Sequence, residues 1–81
     1  MNLTKLDNYE VYILPGVIRV KLGDTVDPQS ADILSEISRS DNNIYYNGEY
    51  FEFLGDSRIL EDNEDVYLEL DVVHFSNRAV L

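Results

Sequence analysis

"NIYYNGEYFEFL", residues 43–54, is the stretch on which the fold turns. Asn47-Gly48 is the favoured pair for a two-residue type I′ turn, because both central residues of that turn need positive φ. Pairing the flanks across it sets Ile44 opposite Phe51 and Tyr45 opposite Tyr50. Ile44, Phe51 and Phe53 then share one side, which predicts a core face. Tyr45, Tyr50 and Glu52 share the other, which predicts a face toward water.

A second hairpin is expected upstream. "YEVYIL" and "VIRVKL" flank Pro15-Gly16. Pairing them puts Ile13 against Ile18 and Val11 against Val20 on one side. Tyr12 then faces Arg19 and Glu10 faces Lys21 on the other, so one register satisfies apolar and charged pairs together. Pro-Gly favours a type II turn where tight hairpins prefer primed types, which predicts a bulge or a loosened loop.

Between the hairpins lies a helix. Asp27 is suited to the N-cap and Pro28 to the first helical position. Ile33, Leu34 and Ile37 form a narrow apolar stripe, Arg39 sits at the favourable end of the dipole, and "SDNN" ends the element. Downstream, "GDSR" reads as a turn, Ile59-Leu60 as a short strand or core plug, and "EDNED" as a polar loop. The last strand alternates: Val66, Leu68, Leu70 and Val72 point one way, Tyr67, Glu69, Asp71 and Val73 the other. Residues 1–8 and 76–81 read as loose termini of one domain spanning 1–81.

The expected order is ββαβββ, an α+β domain with one helix packed on one face of a mixed sheet. That order resembles the ubiquitin-like β-grasp superfamily. "GDTVDPQSADIL" and "NIYYNGEYFEFLGDSRILEDNEDVYLEL" stand where such proteins carry their helix, middle hairpin and last strand, and the likeness covers about residues 9–75. Ubiquitin-like modifiers and sulfur carriers close on Gly-Gly; this sequence closes on "NRAVL". The resemblance therefore implies a β-grasp-like module that works through its surfaces.

Charge is the strongest global signal. Sixteen acids oppose six bases, for a formal net charge of −10. "ILEDNEDVYLELDVV", residues 59–73, alone holds six carboxylates. Direct contact with nucleic acid needs a basic footprint, and anionic membranes select against the same surface. A basic partner is what this field attracts. No apolar run approaches the roughly 20 residues of a spanning helix. The amino-terminal "MNLTKLDNYE" lacks the pattern of a secretory signal, and there are no cysteines. A soluble protein of the cytoplasm, without cofactor or disulfide, is expected.

Three constellations carry candidate chemistry. The loop Glu61, Asp62, Glu64, Asp65 offers hard oxygen ligands, but not in the alternating spacing of a calcium loop; a solvated turn is the simpler reading. His74 has no cysteine or second histidine to work with. The outer sheet face gathers Tyr12, Tyr45, Tyr50 and Tyr67 beside Glu52, Glu69 and Asp71. Tyrosines with carboxylates suit the capture of Arg and Lys, although tyrosine also simply fills half-buried strand positions.

The expectation is a non-enzymatic protein-binding protein that occupies a basic surface of its target, a surface that binds nucleic acid being one such case. By type it resembles small acidic phage-encoded inhibitors such as anti-CRISPR proteins and other nucleic-acid mimics. Its contact residues would be Tyr45, Tyr50, Glu52, Glu61, Asp62, Glu64, Asp65, Tyr67, Glu69 and Asp71. The alternative is a ubiquitin-like adaptor or structural subunit that associates by strand addition or an apolar patch.

Overall fold

The computed structural model describes residues 2–23 and 29–75. Its elements are β1 (Thr4–Lys5), β2 (Val11–Leu14), β3 (Val17–Gly23), α1 (Gln29–Arg39), β4 (Asn43–Tyr46), β5 (Glu49–Asp62) and β6 (Asp65–His74). The strands form one sheet in the order β1-β4-β5-β6-β3-β2. Every neighbouring pair is antiparallel except β1 with β4, which makes the sheet mixed. One helix on one face of a mixed sheet is an α+β fold, compatible with a β-grasp-like topology.

The central hairpin has the register that the Asn-Gly pair dictates: Ile44↔Phe51 and Tyr45↔Tyr50. Asn47 and Gly48 both take positive φ, 52° and 85°. A side chain at Gly48 has open space around it, so backbone strain alone opposes one. Gly48→Ala is expected to cost about 1–2 kcal/mol, read as a shift in the urea midpoint without a change in slope.

The first hairpin pairs Val11↔Val20, Tyr12↔Arg19 and Ile13↔Ile18, as the charge and apolar pattern requires. The expected bulge is absent there. Leu14 pairs directly with Val17 across Pro15-Gly16, and Gly16 supplies the positive φ of 76° that a type II turn needs. The Gly16 carbonyl also accepts the Val72 N–H at 3.0 Å, so the turn is held against β6.

Two segments expected to break the sheet instead extend it. "GDSR" is not a turn between elements: β5 continues through it, and the β5–β6 register shifts between Phe53 and Ser57. Gly55, with φ of 103°, absorbs the distortion at this bulge. "EDNED" is not a long loop but a two-residue turn, with Asp62 paired to Asp65 and Asn63 and Glu64 both at positive φ. The result is a long β5–β6 hairpin that ends in an acidic tip.

The core follows the alternation of the strands. Ile18, Val20, Leu22, Ile44, Phe51, Val66, Leu68, Leu70 and Val72 are buried on one sheet face, and Ile33 and Ile37 of α1 close over them. Leu34 packs at the margin. The helix stops after Arg39, where Asp41 and Asn42 adopt left-handed φ and the Asn42 N–H bonds back to the Ile37 carbonyl at 2.9 Å. Asp27 and Pro28, read as the start of the helix, lie outside the described residues, as do residues 76–81.

The amino-terminal lead-in is not loose. Thr4 and Lys5 pair in parallel with Ile44 and Tyr45, and Leu6 is fully buried. The Leu6 N–H donates to the Tyr45 carbonyl at 3.0 Å. Thr4 is buried and shares a 2.8 Å hydrogen bond with the Ser40 hydroxyl, just past the helix. The Asp7 carboxylate accepts the Asn47 N–H at 3.0 Å and so braces the central turn. A polar threonine inside is tolerated because Ser40 satisfies it.

Candidate partner-binding face

The face turned away from the helix is built by strand pairing. Across its middle, Tyr12, Arg19, Glu69 and Arg58 stand in one row through consecutive registers of β2, β3, β6 and β5. The next row holds Lys21, Tyr67 and Leu60. Alternation on β5 and β6 brings Tyr45, Tyr50, Glu52 and Val73 to the same face at its other end. The tyrosines expected outside are outside: Tyr12 and Tyr50 are exposed, Tyr45 and Tyr67 half-buried.

The tyrosines sit in pairs. Tyr45 and Tyr50 meet edge to face at 5.1 Å between centroids, and Tyr12 and Tyr67 at 6.0 Å. The Tyr12 hydroxyl donates to the Glu10 carboxylate. That hydrogen bond, with the adjoining negative charge, pushes the phenol up to about 12, so the ring stays neutral at physiological pH.

The carboxylates divide into two groups. Glu69, expected as an open charge, is only 8% exposed. It accepts Arg19 Nε at 2.8 Å on one oxygen and Arg58 Nη1 at 2.5 Å on the other. Arg58 also donates to Asp71 at 2.9 Å. The Arg19 hydrogen bond, aided by Arg58, holds the Glu69 carboxyl below its ordinary range against the opposing effect of burial. The guanidinium of Arg58 is in turn stabilised in its charged form, first by Glu69 and then by Asp71. Lys21 lies 3.6 Å from Asp65 and 3.9 Å from Glu10. The middle of the face is thus a compensated network, and Glu69, Asp71 and Asp65 spend their charge within the molecule.

The second group is free of ion pairs among the described residues. Glu61, Asp62 and Glu64 are exposed at the β5–β6 tip, and Glu52 is exposed further along β5. Next to the tip, Tyr12, Leu14, Arg19, Leu60, Glu61, Asp62 and Tyr67 line an open groove of about 500 Å³; alternation sets Asp62 on the same face as Leu60, and Glu61, opposite Val66, on the helix side of β5. The structure therefore brings Tyr67, Glu61 and Asp62 together, whereas Tyr45, Tyr50 and Glu52 lie at the far end of the face.

Leu14, Arg19 and Leu60 are groove residues that the sequence reading did not single out, and Tyr12 is one that it placed on the outer face without naming it a contact residue. Alternation puts each on the outer side of its strand, but only the neighbour order β5-β6-β3-β2 makes them adjacent. His74 ends β6, stacks on Phe51 at 4.6 Å, and lies 2.6 Å from a Glu49 oxygen through Nε2. Among the described residues, no cluster of three His, Asp or Glu side chains has metal-binding geometry, and no helix is long and apolar enough to cross a membrane. Comparison with known protein families, curated proteins and solved structures finds no match to this chain.

Proposed function

We propose that this chain is a non-enzymatic binding protein, an acidic inhibitor or nucleic-acid mimic of the phage anti-defence type, that occupies a basic surface of a partner protein. The observation that carries the reading is the groove beside the β5–β6 tip. Glu61 and Asp62, the last residues of β5, carry no ion pair among the described residues and line the groove with the Tyr12–Tyr67 pair and Leu60. An incoming Lys or Arg side chain meets a ring face, an apolar wall and a carboxylate at once.

The chemistry favours recognition over turnover. A carboxylate that serves as a general acid is desolvated so that its proton affinity rises. Glu69, the buried carboxylate among the described residues, is held the other way by two guanidinium groups. Its network fixes the face rather than reacting on it.

The reading is tested by reversing the tip charge. A partner captured from the native host or its prey is assayed by association kinetics across a salt series. Glu61→Lys with Asp62→Lys is expected to slow association about tenfold at low salt and flatten its salt dependence. Unchanged rate and slope would sink the proposal. Glu69 and Asp71 are poor choices for this test, because reversing them breaks the arginine network first.

A second reading, a ubiquitin-like adaptor or structural subunit that associates by strand addition, is favoured by a separate observation. The edge strand β2 leaves Tyr12, Ile13 and Leu14 exposed.

A further inference from the structure

The two edges of the sheet are unequal. On one side β1 is two residues long and carries Lys5, the short and charged design that discourages pairing. On the other, β2 reads Val-Tyr-Ile-Leu with no charge inside it, and Ile13 is 44% exposed. The Lys21 N–H donates to the Glu10 carbonyl at 2.9 Å, which fixes the hydrogen-bonding phase of the β2–β3 pair. By the alternation of an antiparallel ladder, Glu10, Tyr12 and Leu14 turn their backbone groups toward β3. Val11 and Ile13 turn theirs outward, where no described residue meets them.

From this edge we infer that β2 receives an extended partner segment of alternating apolar and basic residues as a seventh strand. The inference deepens the proposed function and rests on it for the basic half of the pattern. Two outward N–H and two outward C=O groups of Val11 and Ile13 would hold the added backbone. Its residue opposite Tyr12 falls on the outer face, beside the Glu10 carboxylate and the open groove, where a Lys or Arg is complementary. Its residues opposite Val11 and Ile13 fall on the helix side and extend the apolar layer that Ile13 leaves uncovered. A second copy of the chain fits this edge less well, because each copy brings a net charge of −10.

The test uses a synthetic nine-residue peptide alternating valine and lysine, and the same peptide N-methylated at alternate residues so that charge is kept and strand bonding is lost. With the first peptide, amide exchange at Val11 and Ile13 is expected to slow at least about tenfold. The methylated peptide and the variant Ile13→Pro, whose missing N–H faces solvent at an edge, are each expected to weaken binding by about tenfold or more. Should Ile13→Pro fail to fold, the methylated peptide decides alone.

Equal binding of both peptides with Val11 and Ile13 unprotected overturns strand addition while leaving a basic partner in place. Protection that is unaffected by salt and by Glu61→Lys with Asp62→Lys keeps the strand and overturns the acidic reading instead. Absence of binding at millimolar peptide overturns the inference. So does concentration-dependent protection in the protein alone with a dimer in sedimentation, which would assign the edge to a second copy.

Discussion

Leu6→Ala is expected to be the most damaging single truncation near the amino terminus, at about 2–4 kcal/mol. The side chain is fully buried among core residues although it follows a strand of only two residues. A domain of this size has roughly 3–5 kcal/mol of stability to lose, so the variant should be partly unfolded at room temperature. A loose lead-in would give a change within about 0.5 kcal/mol. Urea denaturation followed by circular dichroism separates the two outcomes, since a shift below that value would mean that Leu6 is not in the core.

Glu69→Gln is expected to cost about 1.5–3 kcal/mol, because it removes a charge-assisted hydrogen bond to each of two arginines. The figure stays below that for a deeply buried pair, since Arg19 and Arg58 are each about 40% exposed and regain water when the acid is gone. The loss also carries a pH signature. The folded carboxyl is held below its unfolded value by Arg19 and Arg58. Its contribution is therefore complete above the unfolded pKa of about 4.3 and drains away as the pH falls from there through the lower folded value. Wild type should lose stability more steeply than the glutamine variant between about pH 5 and pH 3. Parallel acid limbs in the two proteins would show that Glu69 contributes little.

Local chemistry made much of this fold legible. Asn47-Gly48 dictates a turn by its φ preference, and the alternation on each side then fixes which of Tyr45 and Ile44 faces water. The same logic recovered the Val11↔Val20 register and the two faces of β6. Where local chemistry misled, it did so for identifiable reasons. Gly55-Asp56 has the composition of a turn, yet a bulge within a paired strand demands the same backbone freedom. Asn63-Glu64 forms a tight turn although glutamate has no preference for positive φ, so the sequence reads as an open loop. Thr4 and Lys5 are too few to show a period at all.

The site was legible in part. Alternation put Tyr67, Glu69 and Asp71 outward, and they are on that face. It could not report that Arg19 and Arg58 flank Glu69, because that depends on β6 lying between β3 and β5. Strand order is set by the packing of the whole sheet, so the split between compensated and free carboxylates emerges only in three dimensions. The proposed contact consequently shifts from Glu69 and Asp71, which are held by arginines, toward Glu61, Asp62 and the Tyr12–Tyr67 pair.

The parallel union of β1 with β4 ties together positions forty residues apart in the chain, Thr4 with Ile44 and Lys5 with Tyr45. The socket that Leu6 fills is made of side chains from the helix and the later strands, so it comes into being only after those have assembled. Closing so long a loop is entropically costly and gains little until its receptor exists. On that account β1 and Leu6 are expected to settle last, after the helix and the later strands have made the socket.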